Sequence, residues 1–102
     1  MEISTDGEKF DEIQSIFISG IVEVVKEHLG EAGLSAENER NLLENISFSV
    51  AAIIDGSRSV EIDGVEPNPI LAFEVDGKLI YSGGSSWLHE YVFGVIAQLY
   101  GE

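Results

Sequence analysis

In a chain without cysteine, chemistry falls to hydroxyls, imidazoles, carboxylates and backbone N–H groups. Here these meet in one stretch, Gly83, Gly84, Ser85, Ser86, Trp87, Leu88, His89 and Glu90. Ser86 and His89 are three positions apart, so on a helix they would touch across one turn and suggest a hydroxyl beside a base. The run GGSSW does not match the G-x-S-x-G elbow, however, and a serine that caps a helix turns its oxygen toward backbone N–H groups. No catalytic residue is assigned, and the chain is read as non-enzymatic.

The same stretch offers a second chemistry. Small residues between a strand and a helix leave N–H groups free and aim the positive end of the helix at an anion. Gly83, Gly84, Ser85, Ser86 and His89 are therefore the candidate ligand-binding residues. Against this, the segment has no Lys or Arg and no P-loop lysine, and the simpler reading is a glycine turn followed by a serine cap. The two histidines, His28 and His89, lack an H-x-x-x-H spacing. Asp55, Asp63 and Asp76 each precede a glycine, which is turn chemistry rather than a calcium loop. No metal and no cofactor is expected.

Four aromatic residues complete the candidates. Trp87, Phe93, Tyr100 and Phe48 fall off the apolar stripes of the helices that carry them. Aromatics on a weakly charged patch, with charge around it, are the composition of an interface. These four are expected to form a contact surface for another protein or for a second copy of the chain.

The charge balance narrows the partners. Nineteen acids face five bases in 102 residues, a net charge of −14. Such a field repels nucleic acid and anionic membranes and attracts basic proteins. The acids concentrate toward the N-terminus, and residues 79–102 hold two acids and no base. No basic N-terminal region precedes an apolar run and no apolar run has the length of a membrane span, so a soluble cytoplasmic protein is expected.

The elements that must position these residues follow from periodicity. Residues 1–7 are polar and expected to fray. A helix begins near Glu8, with Phe10, Ile13, Phe17, Ile21, Val24, Val25 and His28 at 3.6-residue spacing, and ends at Gly30 and Gly33. Ser35 suits the cap of a second helix. Residues 46–54 alternate like a strand, yet Leu42, Leu43, Ile46, Val50, Ile53 and Ile54 share one helical stripe, so the helix is expected to run on to Gly56. Three short strands follow. Residues 59–63 alternate. Residues 70–75 and 78–82 flank Asp76-Gly77, a type I′ turn that pairs Val75 with Lys78 and Phe73 with Ile80. A last helix spans residues 86–100, with Leu88, Tyr91, Val92, Val95, Ile96 and Leu99 inward.

These elements make one small acidic α+β domain over residues 1–102. Its order is α-α-β-β-β-α, a three-stranded antiparallel meander packed on one face by helices. The function expected is a non-enzymatic protein-interaction module, an acidic inhibitor or immunity-like binder of a basic protein. The alternatives are a homo-oligomeric assembly protein using the aromatic patch and a small-anion site at Gly83–Ser86.

Overall fold

The long helical hairpin forms where the periodicity places it. In a computed structural model that describes residues 1–84 and 86–102, strand β1 is Glu2–Thr5, helix α1 is Gly7–Gly30 and helix α2 is Ala36–Ile54. Asp6 caps α1, its carboxylate accepting from the Lys9 N–H at 3.1 Å. Ser35 caps α2 in the same way, accepting from Asn38 N–H at 3.2 Å. Residues 46–54 are helix, as the six-residue stripe required.

The sheet departs from a meander. Strands β2, Phe73–Val75, and β3, Lys78–Tyr81, form the expected hairpin with Phe73 opposite Ile80 and Val75 opposite Lys78. Asp76 and Gly77 both take positive φ, 50° and 78°, as the type I′ turn demands. The third strand is not residues 59–63. There Asp63 and Gly64 also turn with positive φ, 53° and 77°, and close only an isolated Ile62–Val65 bridge. The third strand is β1, from the segment expected to fray. It pairs in parallel with β3, Ile3 against Leu79 and Ser4 against Ile80, giving the order β1-β3-β2. Glu2 stands opposite Lys78 in this register.

The last helix also differs. The chain makes a 3-10 turn at Leu88–Tyr91 and only then the α-helix α3, Val92–Leu99. Ser86 caps neither. Trp87 stands before the turn with φ 57° and makes no side-chain cap.

The core gathers where α3 and the 3-10 turn fill one side of the α1–α2 hairpin. Ile18, Val22, Leu43, Ala51, Leu88, Val92 and Ile96 are fully or almost fully buried there. The inward faces are turned from the expected stripes. On α1 the buried line is Phe10, Gln14, Ile18 and Val22, while Phe17, Val24 and His28 are exposed. On α2 it is Leu43, Ser47 and Ala51, while Leu42, Ile46, Val50 and Ile53 are more than a third exposed. Both helices carry apolar arcs wider than one neighbour covers, so the strongest stripe is not the buried one. The sheet meets α1 near its N-terminal half, where Phe73 packs on Phe10 and edge-on against Phe17, both with ring centroids 5.4 Å apart.

The close of the sheet depends on Gly83. Its φ is 87°, and a Cβ there would lie 2.9 Å from Thr5 Cγ2 on β1. Gly83→Ala is therefore expected to destabilise the fold by about 1–3 kcal/mol, from left-handed strain and the clash together. Gly84→Ala, which meets nothing within 4 Å, is the control. Urea denaturation of the two variants makes the comparison.

Candidate functional site

A buried carboxylate organises the site. Asp55 follows the last residue of α2, and its side chain is fully buried. Its Oδ1 accepts the Ser57 N–H at 2.9 Å, which is a local turn. Its Oδ2 accepts the His89 backbone N–H at 3.1 Å and lies 2.5 Å from His89 Nδ1. An ionised carboxylate only accepts, so Nδ1 carries a proton and donates it to Asp55. Burial opposes the charge on Asp55, but hydrogen bonds from Ser57 and His89 outweigh it and hold the carboxyl below its ordinary range. Ser57 Oγ lies 3.3 Å from His89 Nδ1.

The clamp fixes an aromatic cluster. The His89 ring stands edge-on to Phe48 of α2 at 5.2 Å and to Trp87 at 6.0 Å, and Phe48 continues to Phe93 of α3 at 5.7 Å. Trp87 is 52% exposed and Phe93 50%. Three of the four expected interface aromatics, Phe48, Trp87 and Phe93, are thus joined through His89. Tyr100 is elsewhere. Its ring lies under Arg40 at 4.7 Å and Lys26 at 5.4 Å, beside the Arg40–Glu102 ion pair that ties down the C-terminus.

On the other side of Trp87 is an acidic notch of about 440 Å³. It is lined by Asp11, Gln14, Ser86, Trp87, Glu90 and Tyr91, with Gly7 and Ser82 at its edge. Gln14 donates from Nε2 to Asp11 Oδ1 at 2.8 Å, yet its Oε1 is buried with no partner among the described residues. Ser86 Oγ is buried and partnerless in the same way. Burial, and next to it the charge of Asp11, push the Tyr91 phenol up from its ordinary pKa. The notch is therefore lined by two carboxylates, Asp11 and Glu90, beside a half-exposed indole, an arrangement that attracts a cation.

The candidate ligand residues are dispersed by this geometry. Ser86 enters the notch and His89 enters the clamp. Gly83 and Gly84 form a tight loop in which Ser82 Oγ donates to Gly84 O at 2.8 Å. Ser85 lies outside the described residues. The α-helix start expected at Ser86 is at Val92 instead, preceded by the 3-10 turn. His28 is exposed, and among the described residues no group of three His, Asp or Glu is placed to hold a metal ion. Among the described residues no helix is long and apolar enough to cross a membrane.

Asp55, Asp11 and Gln14 were not candidates from sequence. Asp55 precedes Gly56 and so carries a turn signal, but nothing local marks a partner 34 residues away. Asp11 and Gln14 read as helix surface. Comparison with protein-family models, curated proteins and solved structures finds no match.

Replacing Asp55 by Ala leaves three N–H donors without an acceptor, and the variant is expected to lose roughly 1–3 kcal/mol at neutral pH. The folded-state pKa of Asp55 lies below the unfolded value. Its contribution is therefore complete above about pH 4 and is lost as pH falls through the folded value. Chemical denaturation at a series of pH values should show the gap between native chain and variant narrowing in acid.

Proposed function

We propose that this protein is an interaction module for a basic partner protein, and that it seats a cationic side chain of that partner, an arginine guanidinium, in the notch beside Trp87. The observation that carries this reading is the lining of one cavity by the carboxylate residues Asp11 and Glu90 together with the half-exposed Trp87. A guanidinium presents five donors in a planar fork and is held best by several acceptors together with an aromatic face. Its volume suits a single large side chain or a small ligand.

Trp87 supports the same reading through strain. A bulky residue at φ 57°, half exposed, is a poor choice for stability alone. Its indole stands beside the notch and joins it to the His89–Phe48–Phe93 cluster, as the anchor of a contact surface would. The surrounding charge of −14 steers a basic partner toward it.

Two measurements test the proposal. Acetyl-Arg-Arg-amide titrated into the labelled protein should shift amide resonances of residues 11–14 and 86–91, and the response should weaken as salt is raised. In Asp11→Asn/Glu90→Gln the affinity should fall about tenfold. Shifts spread evenly along the acidic helices would mean diffuse attraction and would sink the notch. Trp87→Gly should weaken binding while relieving about 1–2 kcal/mol of left-handed strain. A variant that binds as well as the native chain would remove Trp87 from the surface.

A further inference from the structure

We infer that a second copy of this chain covers the open face of the α1–α2 hairpin, forming a twofold four-helix bundle. By the 100° advance per residue, Phe17, Gly20 and Val24 of α1 point roughly opposite Val22, and Leu42, Ile46 and Ile53 of α2 roughly opposite Ala51. Val22 and Ala51 belong to the core beneath α3 and the 3-10 turn. The two outward sets therefore share the side of the hairpin that α3 leaves uncovered, which the sheet borders at Phe17 through Phe73 and the loop over residues 58–71 borders at Ile53. Every side chain in them is exposed by 38–54%.

Three observations name the occupant. The first is charge. Residues 13–22 and 45–54, the middle of this face, contain no charged residue in a chain of net charge −14. A basic partner finds nothing to pair with here, whereas two copies can meet here and keep their acids apart. The second is spacing. Ile13, Phe17, Gly20 and Val24 repeat at intervals of four, three and four, and so do Leu42, Ile46, Ser49 and Ile53. That is the seam of helices packed knobs-into-holes, present on both helices, so the face is complementary to itself. Gly20 and Ser49 lie near the middle of their seams, and a Cβ at Gly20 would meet nothing within 4 Å.

The third observation is area. The chain exposes 6524 Å², while a compact monomer of 11.1 kDa exposes roughly 5,700 Å². The surplus of about 800 Å² is comparable with the roughly 800 Å² that each partner buries in a standard interface. The irregular loop over residues 57–72 holds part of that surplus, and the exposed apolar side chains of the hairpin face hold another part. This interface lies across the hairpin from the 3-10 turn, so the notch beside Trp87 remains open in each copy, and the inference does not depend on that site.

Sedimentation equilibrium of the native chain, with Gly20→Arg, Ile46→Arg, Trp87→Arg and the loop variant Ile62→Arg, decides the matter. The native chain should have twice the 11.1 kDa chain mass, and added salt should tighten the dimer by screening its acids. Gly20→Arg should raise the dimer dissociation constant at least about a hundredfold with an unchanged circular dichroism spectrum. Because the space at Gly20 is open, this variant reports on assembly even if Ile46→Arg fails to fold. Trp87→Arg and Ile62→Arg should remain dimers. A native monomer at high micromolar concentration overturns the inference. So does a dimer that survives Gly20→Arg, or one that Trp87→Arg or Ile62→Arg dissolves.

Discussion

The buried carboxylate of Asp55 is the contact on which the C-terminal third of the fold depends. α3 has eight residues, little more than two turns, and the segment before it is a 3-10 turn with no cap of its own. A helix that short does not hold itself together in water. Apolar burial of Leu88, Val92 and Ile96 supplies most of the attraction, but burial is non-directional and does not choose a rotation or a register. Asp55 does choose them. By accepting both the backbone N–H and the ring N–H of His89, it fixes one residue at two points. Trp87, Glu90 and Tyr91 then have one placement each. The cluster with Phe48 and Phe93 and the notch beside Asp11 both follow from it.

Local chemistry made much of this chain legible. The two helix caps, the Asp76-Gly77 turn and the pairing of Phe73 with Ile80 are properties of residues within a few positions of one another. The failures were non-local. β1 pairs in parallel with a strand more than seventy residues later, and a parallel partner leaves no turn signal in the sequence. Asp63-Gly64 carried the same turn chemistry as Asp76-Gly77 but lacked strands long enough to extend it, so residues 59–63 alternate without joining the sheet. Ser86 looked like a cap because it follows glycines, yet Trp87 in the left-handed region separates it from any helix. In the candidate site, the aromatic trio and His89 were visible as residues that periodicity did not use. Asp55, Asp11 and Gln14 were not, because their significance is a partner supplied by another element.

The helical stripes show a further limit of periodicity. On both α1 and α2 the longest apolar line was chosen as the buried one, and on both it was partly exposed. Gln14 and Ser47 replaced it at the centre of the packing, although Gln14 Oε1 and Ser47 Oγ have no hydrogen-bond partner among the described residues. Ser47 is small and fully buried, and a leucine in its place would overpack the site. Its desolvated hydroxyl costs on the order of 1 kcal/mol or more.

Shape and charge then bear on the same question. The chain spans 47 × 38 × 19 Å with a radius of gyration of 15.3 Å, against about 13 Å for a compact domain of 100 residues. A slab 19 Å thick is little more than one helix with its packing neighbour, so it has two broad faces and cannot bury both with its own side chains. One face is closed by α3 and the 3-10 turn, and there the acids Asp11 and Glu90 gather beside an exposed indole. The other is the uncharged hairpin surface. Net charge of −14 makes the distinction consequential, because repulsion between acids opposes any contact that brings the charged surface together and leaves the uncharged face as the lowest-cost approach between like molecules. The distribution of carboxylates thus makes the two faces chemically unlike: one is uncharged over residues 13–22 and 45–54, and the other carries Asp11 and Glu90 beside Trp87.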